Sequence, residues 1–356
     1  MEMRNDIAHN EGAVHLSIFH FHSLFLIPHF SFPSLIFITH FSFLISHFEA
    51  SAQQLTFVEL NCENLFDCRH DSLKQDDEYL PESTRHWTRS RYWRKLNHTG
   101  QAILSCSQEL PDFVALVEVE NDTVLHDLTR RSLLRNAGYD YLMTESPDER
   151  GVDVALLYQP SSFRPVCYET ITVPLVKGMR PTRDILYVKG EIVTGDTLHV
   201  FVVHAPSRYG GERATRPYRM QVARSLAVAL DELRHHEPDV LVLVAGDFNA
   251  TLKNKSIRFL LEQGLVSAAP NVEGTHGARA NYRYQGLWEQ IDHVFVSPSL
   301  FQHKVGAYVN DAPFLLEEDA KYGGVKPFRT YNGYQYQSGF SDHLPVVVRF
   351  SFTGQF

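Results

Sequence analysis

The chain has 356 residues, enough for one large domain or two smaller ones, and its 44% apolar content suffices for a large core. Its 33 basic residues face 42 acidic ones, a formal net charge of -9. That balance excludes broad electrostatic capture of duplex DNA, which needs many Lys and Arg contacts to phosphate, and leaves room only for a local basic patch.

The first segment differs from everything after it. Seven of the 19 histidines and nine of the 24 phenylalanines fall within residues 1–52. From Leu24 to Phe48 the chain is aromatic and aliphatic, interrupted by Pro28, His29, Pro33, His40 and His47. It closes on Ala50-Ser51-Ala52-Gln53, a small-x-small pattern that signal peptidase could cut before Gln53. The n-region is poor, with only Arg4 as a base. An uncleaved anchor and a misassigned start are the alternatives, although the prolines and polar residues make a spanning helix of ~20 residues unattractive. The expectation is a signal-like or misassigned leader over 1–52, outside the fold, and a single domain over 53–356. A genuine signal would export the protein to the periplasm or beyond; otherwise it is cytoplasmic. Without the leader the balance is 32 basic against 38 acidic side chains.

From Gln54 onward short apolar strands alternate with amphipathic helices. Leu55–Leu60 reads as a buried strand running into Asn61-Cys62-Glu63-Asn64, and 67–88, rich in charge and Pro, as a long surface loop. Apolar residues at helical spacing (Trp93, Leu96, Ile103, Leu104) predict a helix from Arg89 to Cys106. A strand is predicted at Phe113–Val117 and a helix at Asp122–Ala137, stopped by Gly138. Strands follow at Tyr139–Thr144, Asp153–Tyr158, Phe163–Val173, Asp184–Val193 and Leu198–Val203. Many of these are consecutive with no helix between them, so the sheets are expected to be mixed or antiparallel. A long helix over Arg213–His235, a strand at Val240–Ala245, a short helix at Ser256–Glu262 and strands at Ile291–Ser297 and Leu344–Phe350 complete the pattern. The expected architecture is a four-layer α/β/β/α sandwich, two packed mixed sheets with helices outside.

Polar residues cluster where these apolar runs end. Asn61 and Glu63 follow the first strand, Glu118 closes the second, and Asp247 and Asn249 follow Val240–Ala245 in Gly246-Asp247-Phe248-Asn249-Ala250. Asp292 opens Asp292-His293-Val294-Phe295, and Asp342 and His343 stand in Ser341-Asp342-His343-Leu344-Pro345. A carboxylate at the end of a buried strand is costly unless paired or bound to a cation. Any one of them could be a loop residue capping a turn; five sites with one residue vocabulary point instead to a hard divalent cation and a phosphate ester. The four cysteines (Cys62, Cys68, Cys106, Cys167) have no zinc-like spacing, and a disulfide among them would require an oxidising compartment.

As a set, in this order, these motifs resemble the exonuclease–endonuclease–phosphatase superfamily, which includes deoxyribonuclease I, apurinic endonucleases, bacterial sphingomyelinases and inositol polyphosphate 5-phosphatases. The phrases Asn61-Cys62-Glu63-Asn64-Leu65-Phe66-Asp67 and Arg150-Gly151-Val152-Asp153-Val154-Ala155 resemble a bacterial branch of uncertain substrate. The resemblance implies a single catalytic domain in which Glu118 and Asn61 hold an essential Mg²⁺, replaceable by Mn²⁺, with Glu63 nearby and Asp342 in or beside the cluster. It further implies that Asp247 orients or deprotonates the attacking water, that Asn249 donates to a non-bridging phosphate oxygen, and that His343, fixed by Asp292, faces the phosphate. His204 would touch the scissile phosphate; Asp153, at the start of its strand, is a candidate acceptor for it, its alternative being a surface-facing carboxylate. Arg208 is a candidate phosphate ligand, its alternative being a solvated loop arginine. His293 should face away from Asp292 by the two-residue period and is left outside the site.

The substrate walls are expected in 67–88, with its basic flank Arg85, Arg89, Arg91, Arg94 and Lys95, in 282–288, where Trp288 is the candidate stacking residue, and in 331–336. The leading reading is a Mg²⁺-dependent phosphodiesterase of nuclease type, acting on a phosphate ester that includes nucleic acid, as a monomer without protein partners. The runner-up is a phosphatase or phospholipase C-type enzyme acting on sugar, inositol or sphingolipid phosphates. A catalytically inactive binding module on the same scaffold is the third reading.

Overall fold

A two-residue alternation of side chains decides how the chain layers. The structure, a computed structural model, describes residues 53–352; the leader expectation for 1–52 falls outside them. In β1 (Gln53–Leu65), Leu55 and Phe57 turn to one face and Val58 and Leu60 to the other, and each pair enters a different buried cluster. The same split recurs in β2 (Phe113–Val119) and β4 (Asp153–Tyr158), where Ala115, Val117, Val154 and Leu156 join Leu55 and Phe57.

Two six-stranded sheets result. With β3 (Asp140–Met143), β13 (Lys304–Val309) and β18 (Val346–Phe352), the first runs β13-β18-β1-β2-β4-β3. The second runs β5-β6-β7-β8-β12-β9, from β5 (Phe163–Ile171), β6 (Ile185–Ile192), β7 (Thr197–His204), β8 (Leu241–Asp247), β9 (Val266–Ser267) and β12 (Asp292–Val296). Three hairpins lie outside the sheets: β10 (Tyr282–Tyr284) with β11 (Leu287–Glu289), β14 (Leu316–Glu318) with β15 (Val325–Pro327), and β16 (Tyr331–Asn332) with β17 (Gln335–Tyr336).

Each sheet has one parallel pair near its middle, β1 with β2 and β7 with β8. Each pair is joined by a helical crossover, α1 (Arg89–Leu104) in the first and α3 (Glu212–His236) in the second. Helix α1 and α2 (Asp122–Arg130) cover the outer face of the first sheet through Leu96, Ile103, Val124 and Leu128. Helices α3 and α4 (Lys255–Glu262) cover the second through Val222, Leu226, Ile257 and Leu260. Between the sheets lies a third cluster including Phe57, Phe113, Val200, Val202, Leu243, Ala245, Val294, Val346 and Val348. This is the expected α/β/β/α sandwich; a short helix, α5 (Pro298–Phe301), follows β12.

Several elements differ from expectation: β9, the three hairpins and α5 were not expected, and two further differences have a clear cause. The helix expected over Asp122–Ala137 stops at Arg130, because the Ser132 hydroxyl accepts from Leu134 N at 3.1 Å and starts a separate 3₁₀ turn, Leu133–Asn136. Strand β13 was not expected: it is a half-buried edge strand whose register shifts between Lys304 and Gly306, so its alternation is weak. All four cysteines are free.

Candidate active site

Strand alternation and register bring the polar ends together at one end of the inter-sheet layer. In the second sheet His204 pairs with Asp247 across β7 and β8, and Asp247 with Asp292 across β8 and β12, forming one row. All three continue the inward-facing series of Val202, Ala245 and Val294. In the first sheet Asn61 pairs with Val117, and Glu118 sits in the irregularity that follows, where the register shifts between Val117 and Val119. Asp342 and His343 lie just before β18. The groups meet in a cavity of about 470 Å³ lined by Asn61, Glu118, His204, Asp247, Asn249 and His343.

The backbone is strained at this place. Eight non-glycine residues among those described have positive φ, and four of them, Glu63 (50°), Asn64 (59°), Glu118 (62°) and Asn249 (48°), line the cavity. Such conformations cost on the order of 1–3 kcal/mol each and persist where surrounding structure imposes them. Gly246 shows the constraint from the other side: it has φ +142° and a Cβ there would meet Val203 O at 1.8 Å. Only glycine lets β8 pass so close to β7 and deliver Asp247.

His343 donates from Nδ1 to Asp292 Oδ2 at 2.6 Å, and Asp292 is wholly buried. Asn281 donates its side-chain amide to the same Asp292 oxygen, and Tyr282 packs its ring 4.7 Å from that of His343. Burial alone would lower the histidine's pKa. The Asp292 carboxylate beside it, with Asp342 and Asp247 beyond, outweighs burial and holds the pKa well above the usual imidazole value. His343 is therefore held as an imidazolium with its orientation fixed by Asp292.

Asp247 is held by Asn249 N to Oδ1 at 2.7 Å, and by Asn249 Nδ2 and Asn61 Nδ2 to Oδ2 at 3.1 and 3.2 Å. Burial, then the negative charge of Asp292, pushes its pKa up to about 7. A carboxylate in that range is matched to taking a proton near neutral pH. Asn249 Nδ2 also donates to Ala205 O at 3.1 Å, so donation to a phosphate oxygen would draw an amide hydrogen from its present acceptors.

His204 lies with Nε2 3.8 Å from both Glu118 Oε1 and Asp247 Oδ2, while Nδ1 has no partner among the described residues. Burial, reinforced by Arg183 and Arg150, lowers its pKa well below the usual value. It is a neutral imidazole at neutral pH, unlike His343. Asp153 is not its acceptor. The inward residues of β4 are Val154 and Leu156, so Asp153 faces the other way and accepts from Thr144 Oγ1 at 2.6 Å and Ser146 N at 2.9 Å.

Two further expectations are corrected. Arg208 lines the cavity but is forked onto Glu289, at 3.1 and 2.8 Å, rather than open to phosphate. Trp288 is absent from the lining: in the β10–β11 hairpin it pairs with Arg283 on the face opposite Tyr282, Tyr284 and Glu289, which do line the cavity. Glu63 lines the cavity, but its oxygens accept from Thr330 N (2.6 Å), Tyr331 N (3.3 Å) and Arg329 Nε (3.3 Å), while Asp342 accepts from Arg329 Nη2 at 3.1 Å. Both carboxylates stand in the cavity as expected, and each pairs with Arg329. The basic flank is also dispersed: Lys95 is buried, and Arg85 and Arg91 lie over tyrosine rings at 4.2–5.4 Å. His293 faces outward, packed against Phe295, and hydrogen-bonds Ala250 O through Nε2 at 2.8 Å.

Sequence reasoning missed Arg150, Arg329 and Asn281. Arg150 lines the cavity with Nη2 3.6 Å from Glu118 Oε1. Its place in the Arg150-Gly151 turn that opens β4 was the one available signal.

The donor set fits a hard divalent cation. Glu118 and Asn61 present the cavity with oxygen donors of the kind Mg²⁺ takes, while Glu63, Asp247, Glu289 and Asp342 also line it and are engaged by neighbouring donors. Ligand atoms of Asp247, Asp292 and His343 lie within 4.8 Å of one another. However, the His343 Nδ1–H is committed to Asp292, which makes that trio a poor cation cage. Glu118 uses Oε2 for Asn64 N at 2.9 Å and turns Oε1 toward the cavity that Asn61 also lines, 3.6 Å from Arg150 Nη2, and is the better-placed donor.

The chain belongs to the endonuclease/exonuclease/phosphatase family, whose profile matches residues 56–351. Members are metal-dependent, and the chain is a hydrolase acting on phosphoester bonds. Solved structures share the fold. A family protein from Bacteroides thetaiotaomicron superposes with a TM-score of 0.56 at 17% identity, covering 85% of this chain and 98% of that one. A mannosyl-6-phosphatase from the same organism gives 0.56 at 18%, covering 83% and 98%. The human Nocturnin catalytic domain with bound sulfate gives 0.51 at 19%, covering 85% and 98%. Among curated proteins there is no match.

Proposed function

We propose that this family member is a Mg²⁺-dependent phosphoesterase that hydrolyses a compact phosphate ester by in-line attack of water. The observation that carries the reading is the Asp292–His343 pair and the Asp247–Asn249 pair facing one cavity together with Glu118 and His204. Glu118, with Asn61, would hold the cation, for which Mn²⁺ is a substitute; when bound it stabilises negative charge on the phosphate and the leaving oxygen.

The chain's own residues supply the remainder. Asp247, poised near neutrality and fixed by two amides, accepts the water proton. The His343 imidazolium offers Nε2–H to a phosphate oxygen, its Nδ1–H being anchored on Asp292. Neutral His204 gives a second, uncharged donor from the other sheet. No Ser, Cys or Thr nucleophile is required.

A compact substrate is favoured by the cavity's size and by its charges. Arg208 is neutralised by Glu289, Arg329 by Glu63 and Asp342, and Arg150 lies 3.6 Å from Glu118, so among the described residues the lining offers no row of free cations to track a polymer backbone. A nuclease-type reading is the second, favoured by a neighbouring depression of about 460 Å³ that shares Asn64 and Arg150 with the site and adds Tyr79 and Arg85, a surface on which a strand could lie. Full-length protein with Mg²⁺ would be offered sugar phosphates, inositol phosphates, p-nitrophenyl phosphate, bis-p-nitrophenyl phosphate, sphingomyelin and single-stranded DNA and RNA. Turnover of small esters over nucleic acid supports the compact reading; preferential strand cleavage establishes the second; no turnover with any divalent metal removes both. Export is proposed on the Ala50-Ser51-Ala52 pattern and is tested by the N-terminal sequence of the protein isolated from its cells.

A further inference from the structure

We propose that Arg329 is a built-in cation that fills the place of a second metal ion, so that the chain binds one divalent cation and not two. The inference rests on the reading that Glu118 and Asn61 hold a divalent cation. Two-metal phosphoesterases use a second ion, roughly 3.5–4 Å from the first, to neutralise the additional carboxylates and clamp the phosphate. Here the additional carboxylates are Glu63 and Asp342, and between them stands a guanidinium. Arg329 Nε lies 3.3 Å from Glu63 Oε1 and Nη2 3.1 Å from Asp342 Oδ2, and all three residues line the cavity.

The position is built by the fold. Glu63 is 7% exposed and is held by the backbone N–H groups of Thr330 and Tyr331, the residues immediately after Arg329. Lys95, 1% exposed, reaches up from α1 to the Thr330 hydroxyl at 2.6 Å and to the Phe340 carbonyl, tying the two strands of the loop together. Gly339 makes the crossing tight: a Cβ there would meet Phe328 O at 2.2 Å and Arg329 O at 2.3 Å. The segment carrying Arg329 and the segment carrying Asp342 are thus locked face to face. Nη1 has no hydrogen-bond partner among the described residues, which leaves one edge of the guanidinium for a phosphate oxygen. A fixed monovalent guanidinium would satisfy both acids without a second ion having to bind.

Calorimetric titration of the full chain with Mn²⁺ tests this, with circular dichroism confirming the fold of each variant. Wild type is expected to bind one ion. Arg329→Met uncovers Glu63 and Asp342 and is expected to bind two. Asp342→Asn, a milder change that guards against misfolding of the first variant, is expected to bind one ion with affinity within about threefold of wild type, because Asp342 serves Arg329. Two ions in wild type, one in folded Arg329→Met, or loss of binding in folded Asp342→Asn would each overturn the inference. Glu118→Gln separates the two readings: it should abolish the single wild-type event, and unchanged binding there would instead defeat the assignment of the cation to Glu118.

Discussion

Replacing Asp292 with Asn should convert His343 from a fixed imidazolium into an ordinary buried histidine. The carboxylate is wholly buried and 2.6 Å from Nδ1, so water does not screen the pair and no other acceptor is recorded for that N–H. A hydrogen bond between charged groups contributes roughly 1.5–3 kcal/mol net. At about 1.36 kcal/mol per decade that is about a ten- to hundredfold fall in kcat/KM if the imidazolium is needed in the transition state. The pH profile carries the sharper signature. His343 has its folded pKa raised, so the alkaline limb of the wild-type profile lies well above the ordinary imidazole range and should move down in the variant. Stability follows the same sign. The contribution of a raised histidine is complete below its unfolded value of about 6.5 and vanishes as pH rises through the folded value. The variant's loss in Tm should therefore be largest in mild acid and fade in alkali. A kcat/KM within about threefold of wild type with the alkaline limb unmoved would refute the assignment of His343 as the charged donor.

Other perturbations probe separate parts of the site. Because Asp247 sits near pKa 7, kcat/KM should fall as pH drops through that value, and raising Mg²⁺ should move this acidic limb lower, as a nearby cation favours the carboxylate. His204→Gln should reduce kcat by about 10²–10³-fold, typical for one lost donor to transition-state charge, with little change in the alkaline limb. Asp153→Asn should leave kcat unchanged and lower Tm, since Asp153 serves Thr144 and Ser146; a catalytic defect would restore its coupling to His204. Gly246→Ala forces Cβ against the Val203 carbonyl and should destabilise by more than about 4 kcal/mol in denaturant titration, or prevent folding.

The strands bearing the site were readable because apolar runs ended in Asn, Glu, Asp and His; the two-residue period put Asn61, His204, Asp247 and Asp292 on one face, and the irregularity after Val117 turned Glu118 to it. The same period explains what went astray. Asp153 follows no inward series on β4, and Trp288 lies one residue out of phase with Tyr282 and Tyr284 across their hairpin. Long cationic side chains were the illegible part. Arg150, Arg329 and Lys95 are positioned by partners far away in sequence (Glu118, Glu63 with Asp342, and Thr330), and nothing local encodes where a flexible stem will find its acceptor. Arg208 had a local rationale, four residues beyond His204, yet its fork was already matched by Glu289. The edge strand β13 escaped because a half-buried strand broken at Gly306 has too little alternation to register.

Anomalous diffraction from crystals soaked in Mn²⁺ tests most directly whether these distant oxygen donors surround one cation. The account predicts a peak against Glu118 Oε1, in the cavity shared with Asn61, Asp247 and His343. A peak seated between Asp292 and His343, or none in the cavity at saturating metal, would contradict it.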